Sequence, residues 1–354
     1  YDWNIVYVNQ TGGNDALVFD GNSFAMNGDG TFAYHAPAWK ESVKVVTYNQ
    51  SKQKFEPEKD IVLPVTGPEE WHSQLVMGIA CGNGFKKALV GSSGGIDSAV
   101  VLALAADALG PENVVALTMP SEYSSTGSVD DSMLLCKNLN VVLHNVPIRS
   151  MVDSMQAVFP NTTLAAAWSG VALENAQARI RGMILMGWSN QLGALVLSTG
   201  NKSEMSVGYA TLYGDMNGAL NPLGDLYKTE VYELAKWINI KAGFERIPNA
   251  IIEKAPSAEL APGQKDEDSL PPYWLLDMIL KIEIEGGSLN NNERVEMEKT
   301  IVQYTEERKR VLNLLDAAEF KRRQAPPIIR VHPRAFGAGW QFPVAQQYKR
   351  RSTL

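Results

Sequence analysis

Residues 91–98, Gly-Ser-Ser-Gly-Gly-Ile-Asp-Ser, combine groups that suit a polyphosphate with one that should repel it. Gly91, Gly94 and Gly95 let backbone amides come close to a ligand, and Ser92, Ser93 and Ser98 add hydroxyl donors. An apolar run at 88–90 precedes them, and Ile96 opens an apolar helical stretch. The loop therefore lies between a strand and a helix whose unpaired N–H groups face the ligand. The lysine of a Walker loop is missing. Asp97 puts a carboxylate beside the phosphates instead, which is tolerable where a divalent cation bridges them. Carboxylate and phosphate oxygens together point to Mg²⁺.

Four other segments could contribute to such a site. On 173–193, Asn175 and Arg179 share a helix face, while Glu174, Gln177 and Arg181 form a second polar stripe beside an apolar seam of Ile180, Ile184 and Trp188. Segment 197–230 brings Thr199, Lys202, Ser203 and Glu204 just past a strand, where a ligand crevice is expected. Glu204 can complete the Mg²⁺ shell with Asp97, and Lys228 at a helix start can neutralise phosphate charge. Segment 253–271 is proline-bearing and acidic, and fits either a solvated loop or a flap that closes over a reaction centre. Segment 320–327 sets basic residues beside a proline pair. Taken singly, these segments also fit a salt-bridged helix, an ordinary polar loop or surface charge.

The elements that must position these groups alternate. Strand-like "KALVGS", "NVVALTM", "VVLHNVPI" and "GALVLSTG" are separated by helical "DSAVVLALAADALG", "DDSMLLCKNL" and 171–192. This predicts an α/β fold, a doubly wound, mostly parallel sheet with helices on both faces and ligands beyond the carboxyl ends of its strands. A small β fragment precedes it: "NIVYVNQ", "ALVFDG" and the two arms of "FAMNGDGTFAYHA" read as strands. Residues 1–48 thus form a β fragment, 49–68 a linker and 69–354 the main domain. A net charge of −7 and a pI near 5.3 disfavour a nucleic-acid partner. No apolar run is long enough to span a bilayer. Cys81 and Cys136 make neither a disulfide framework nor a metal set, and both read as packing residues in a reduced, cytoplasmic enzyme.

The order Ser-Gly-Gly-Ile-Asp-Ser resembles the PP-loop of the ATP pyrophosphatases, which split ATP between its α- and β-phosphates and adenylate an acceptor. "MPSEYSS", "ENAQARIRGMILM", "TGNKSE", "GYATLYGDM", "PSAELAPGQKDEDSLPPY" and "KRRQAPP" extend the likeness. Over 69–345 the chain resembles the synthetase domain of glutamine-dependent NAD⁺ synthetases, and residues 1–48 resemble the last strands of that family's nitrilase-like glutaminase domain. The resemblance implies a carbon–nitrogen ligase that amidates deamido-NAD⁺ through an adenylate, releasing AMP and pyrophosphate. It assigns Gly91 to Ser98, Thr199, Lys228 and Ser257 to ATP, and Asp97 and Glu204 to Mg²⁺. Asn175, Arg179, Glu204 and Lys321 fall to deamido-NAD⁺, and Asp97, Lys228 and Asp215 to catalysis. A homo-oligomer and an upstream glutaminase domain are implied as well.

No residue matches the Glu-Lys-Cys set of that glutaminase, so ammonia is the expected nitrogen donor for this chain alone. Ser92 replaces a frequent leucine, and Glu122 a frequent basic residue. Two other readings stay open: another PP-loop ligase, of the GMP or asparagine synthetase type, and an inactive nucleotide-binding fragment.

Overall fold

The computed structural model describes residues 2–14, 17–59, 61, 63–81, 84–158, 170–261, 263–337 and 339–344. The expected main domain therefore extends at 159–169 and beyond 344 outside the described residues. Strand β1 (Ile5–Tyr7) is followed by β2 (Thr11–Asn14), β3 (Leu17–Asp20), β4 (Phe24–Met26) and β5 (Phe32–His35). β1, β4 and β5 form an antiparallel sheet, with Phe24 packing on Tyr7 and Phe32. β2 and β3 pair as a hairpin, and β2 was not expected, because "TGGN" has no apolar residue to mark it. Val18 of β3 packs against the core of the main domain. The segment expected to be a linker holds most of a second hairpin, β6 (Tyr48–Asn49) with β7 (Lys54–Phe55).

The main domain begins with α1 (Pro68–Ala80), whose proline at the first turn needs no hydrogen-bond partner. It continues through β8 (Ala88–Gly91), α2 (Ile96–Leu109), β9 (Val114–Thr118), α3 (Thr126–Leu139), β10 (Val142–Asn145), α4 (Arg149–Val158), α5 (Val171–Leu192) and β11 (Leu195–Leu197). The strands lie in the order β10-β9-β8-β11, every neighbour parallel. Alternate residues enter opposite cores: Ala88, Val90, Ala116 and Leu197 face α1, α2 and α3, whereas Leu89, Leu117 and Val196 face Ile180 of α5. Both faces are covered, as in a sheet with crossover helices. α2 is apolar around its circumference and is buried from Ser98 to Ala106. The apolar seam Ile180, Ile184 and Trp188 packs as expected, while α4 had not been foreseen.

Beyond β11 come α6 (Lys202–Val207), α7 (Lys228–Ala242), α8 (Asn249–Glu253), α9 (Tyr273–Glu285), α10 (Asn291–Ile301), α11 (Thr305–Ala317), α12 (Glu319–Arg322) and the short strands β12 (Ala335–Phe336) and β13 (Gly339–Trp340). α6, α9 and α11 share a third apolar cluster with Phe336. Arg322 is buried against Glu319 at 2.9 Å, so part of the basic cluster at 320–327 is internal. Cys136 is buried, and burial pushes its thiol up to about 12. Cys81 overturns its expectation: it caps the end of α1 and is exposed, because the apolar face of that helix ends at Ile79. Among the described residues, no helix is long and apolar enough to cross a membrane.

Candidate active site

In the sheet order, the connections from β8 run to β9 on one side, whereas β11 lies on the other. The crevice beyond the carboxyl ends of β8 and β11 is therefore a topological switch point. A cavity of about 290 Å³ opens there, lined by the loop after β8, the segment after β11, α5 and the 255–260 stretch.

The loop is held from three sides. Gly94 has φ 74° and packs against the first turn of α3 so closely that a Cβ would lie 2.7 Å from the Ser128 Cα. Gly95 caps α2, its N–H donating to Ser93 Oγ at 3.2 Å, and the Ser93 and Ser98 hydroxyls pair at 3.2 Å. Ser92 lines the cavity, and its buried hydroxyl has no partner among the described residues.

Asp97, in the first turn of α2, meets residues more than a hundred positions away. Its carboxylate accepts from Lys228 Nζ and, at 2.9 Å, from Asn201 Nδ2. Asn201 is also the N-cap of α6: its side chain accepts from the Glu204 N–H at 3.0 Å, and its own N–H donates to Glu204 at 3.3 Å. This reciprocal cap turns the Glu204 carboxylate toward Lys228 Nζ, 3.3 Å away. Burial pushes the Glu204 carboxyl up to about 8, Asp97 pushing the same way and Lys228 opposing. Burial would depress the Lys228 ammonium, but Asp97 and Glu204 outweigh it and hold the group well above the usual lysine range.

Asp266, from the acidic run at 266–268, is a third carboxyl at this centre. It accepts from Tyr273 Oη at 2.8 Å, and burial raises its pKa against the opposing effects of Tyr273, Lys228 and Tyr209, with Asp97 adding to the rise. No group of three His, Cys, Asp or Glu side chains among the described residues is already arranged around a metal position. Mg²⁺ needs no such cage, since it takes one or two carboxylates with phosphate oxygens and waters. Asp97 and Glu204 converge on one buried cation with oxygen donors only, and this donor set fits Mg²⁺.

The other expected residues divide into two groups. Thr199, Asp215 and Ser257 line the cavity. Burial pushes the Asp215 carboxyl up to about 6, even though it accepts from the Thr211 N–H at 2.7 Å. Ser257 donates to the Gln264 carbonyl and accepts from the Glu259 N–H at 3.1 Å, so it braces the 257–264 turn. Asn175, Arg179 and Lys321 do not line the cavity. They grip the neighbouring 208–212 loop: Thr211 Oγ1 donates to Asn175 at 2.8 Å, Arg179 donates to the Leu212 carbonyl at 3.1 Å, and Lys321 to the Gly208 and Ala210 carbonyls at 2.7 Å. From the second stripe of α5, Arg181 lines the cavity instead and donates to the Met119 carbonyl at 3.0 Å.

Three participants were missed. Asn201 was findable, because Asn-Lys-Ser-Glu at 201–204 has capping-box spacing. Asp266 stands in an acidic run where nothing singles it out. Glu259 accepts from Ser128 Oγ at 2.6 Å, from Ser125 Oγ at 3.1 Å and from Lys254 Nζ at 3.1 Å, which latches the 253–271 segment onto the start of α3.

A parallel sheet that reverses beside a serine–glycine loop, with a carboxylate instead of a lysine in that loop, belongs to the PP-loop class of nucleotide-binding proteins. A family model described as NAD synthase matches residues 74–325, and the chain belongs to that family. It is 45% identical over 353 residues to a glutamine-dependent NAD⁺ synthetase of Synechocystis sp., a match covering 97% of this chain and 61% of that protein. The solved glutamine-dependent NAD⁺ synthetase of Acinetobacter baumannii, in complex with ADP, superimposes with a TM-score of 0.69 at 38% identity, over 97% of this chain and 62% of its own. An NH₃-dependent NAD synthetase of Campylobacter jejuni subsp. jejuni, in complex with nitrate, gives 0.50 at 29% identity, over 67% of this chain and 95% of its own. The chain thus spans about three fifths of the length of the glutamine-dependent relatives.

Proposed function

We propose that this chain amidates deamido-NAD⁺ to NAD⁺ at the expense of ATP, with ammonia as its nitrogen donor when it acts alone. The observation that carries the reading is the convergence of Asp97, Glu204 and Lys228 beside the serine–glycine loop at the switch point. The first step would have the nicotinate carboxylate attack the α-phosphorus of ATP, breaking the α–β bond and forming an acyl-adenylate. The Gly91–Ser98 loop amides and hydroxyls would bind the departing pyrophosphate, with Thr199 and Ser257 on the rest of ATP. Lys228, released from part of its pairing, would stabilise charge on the transferring phosphoryl group. Asp97 and Glu204 would hold Mg²⁺, which neutralises phosphate charge when bound. Ammonia would then attack the acyl carbon, AMP would leave, and Asp215 is suited to take the released proton. Asn175, Arg179 and Lys321 would set the deamido-NAD⁺ side of the crevice through the 208–212 loop.

The ammonia reading is supported by the Campylobacter jejuni NH₃-dependent enzyme, matched along 95% of its length. Residues 1–48 are read as the last strands of a glutaminase unit, and the match to the longer Synechocystis sp. relative covers 97% of this chain. A homo-oligomer belongs to the same reading, and Met183 and Met186, exposed on α5, offer an apolar contact.

The decisive assay mixes the chain with ATP, Mg²⁺ and ammonia, with either deamido-NAD⁺ or xanthosine monophosphate as acceptor. Pyrophosphate and NAD⁺ should form only with deamido-NAD⁺, and Asp97→Ala should abolish both. Turnover of xanthosine monophosphate, or glutamate released from glutamine by this chain, would overturn the respective claim.

A further inference from the structure

α7 carries Lys228 at its first position, yet its N-cap residue, Tyr227, offers no side-chain cap to the orphan N–H groups of that turn. The cap comes from another helix. Asp277 of α9, 2% exposed, accepts from the Thr229 N–H at 2.9 Å. Its other oxygen accepts from Ser203 Oγ, and that oxygen in turn accepts from the Lys228 N–H at 2.9 Å. Ser203, fully buried, sits in α6 directly before Glu204. One carboxylate therefore ties the backbone of Lys228 to the backbone next to Glu204.

We infer that Asp277 and Ser203 are positioning residues which set the separation of Lys228 from Glu204 and Asp97 by bridging the N-termini of α6 and α7. The inference rests on the proposed synthetase reaction for its catalytic consequence and on the geometry alone for its structural one. Neither residue lines the cavity, so neither touches substrate. Without the bridge, the first turn of α7 loses its cap and Lys228 is no longer aimed from a fixed backbone. Ser203→Ala removes a single oxygen and leaves the Asp277–Thr229 bond in place. Asp277→Asn can still accept from the Thr229 N–H while its amide donates to Ser203 Oγ, so most of the bridge survives, whereas Asp277→Ala abolishes it.

The test uses the full chain and two readouts. In ammonia-dependent NAD⁺ formation, Ser203→Ala and Asp277→Ala should each lower kcat about tenfold or more, with KM for ATP changing less than about threefold. Asp277→Asn should stay within about threefold of the parent. Independently of activity, brief treatment with acetic anhydride and mass spectrometry should show Lys228 acetylated about fivefold faster in Ser203→Ala, since its ammonium is less firmly held by Asp97 and Glu204. A folded Ser203→Ala protein with unchanged kcat and a lower melting temperature would mean ordinary packing and would overturn the inference. So would an Asp277→Asn protein as impaired as Asp277→Ala, because charge and not the bridge would then matter. If the parent chain makes no NAD⁺, the proposed reaction fails, and the Lys228 labelling still decides the positioning role: equal rates in parent and Ser203→Ala refute it.

Discussion

Replacing Gly94 by alanine tests whether the serine–glycine loop is a rigid part of the fold or a soft turn. The cost has two parts. Alanine at φ 74° leaves the comfortable region for an L-residue, at about 1–2 kcal/mol. The new Cβ would also stand 2.7 Å from the Ser128 Cα and closer still to its carbonyl oxygen. Ordinary carbon contacts begin near 3.5 Å, so loop and α3 must separate by about 1 Å, and such overpacking costs about 1–3 kcal/mol. The sum, about 2–5 kcal/mol, corresponds to a melting temperature lower by roughly 3–8 °C for a domain of this size. The same shift displaces the amides aimed at the phosphates, and a displacement of about 1 Å can cost 10²-fold in kcat/KM. Gly95 is the control. Its φ is −99°, and an added Cβ would meet only Ser93 Oγ at 3.2 Å, a hydroxyl that can rotate away. Gly95→Ala should therefore cost about 1 kcal/mol or less in stability. Differential scanning calorimetry of both proteins without nucleotide separates fold from ligand effects. A Gly94→Ala protein melting within about 2 °C of the parent, or a Gly95→Ala protein falling equally far, would refute the reasoning.

Two further outcomes are expected. Glu259→Ala should unlatch the 253–271 segment: trypsin should cut after Lys254 or Lys265 several times faster, with a stability loss of about 1 kcal/mol or less, and an unchanged digestion course would show that other contacts hold the segment. Far from the crevice, Asp107 pairs with His72 at 2.9 Å and Arg246 at 2.7 Å, and these outweigh its burial and hold its carboxyl down to about 2. A depressed carboxyl contributes stability that is complete above its unfolded value, near 4, and is lost as pH falls through about 2. Asp107→Asn should accordingly cost about 1 kcal/mol at pH 7 after allowance for solvent screening, with the difference shrinking toward pH 2. Its turnover should be unchanged, and an equal loss at both pH values would contradict the assignment.

The layout of the sheet was legible because β8, β9 and β11 are short apolar runs and α2 is apolar on every side, as a central buried helix must be. The loop at 91–98 was legible for the same reason that it works, since glycines, hydroxyls and one carboxylate in that order have few other uses. What sequence could not supply was who meets whom. Asp97 and Lys228 are 131 positions apart, and only the fold reveals that the lysine is buried between two carboxylates. Asn175, Arg179 and Lys321 were chosen by motif, yet their immediate partners are the carbonyls and hydroxyl of one loop. Cys81 misled because the apolar residues before it belong to a helix that ends at Ala80. Asp277 carries no sequence signal of its role, and its burial against α7 depends on three separate segments coming together.

That dependence has a consequence for how the protein is made. The loop at 91–98 is made before its lysine, which comes with residue 228, and the bridge behind that lysine follows with residue 277. Lys202, beside that bridge, is paired with Asp225 and Glu285 at 2.7 and 2.5 Å and donates to the Arg334 carbonyl at 2.7 Å. A nascent chain that ends before residue 228 holds the sequence of all four parallel strands but leaves Asp97 without its lysine. Nucleotide capture should therefore switch on late in synthesis, and a partly made chain should not sequester ATP.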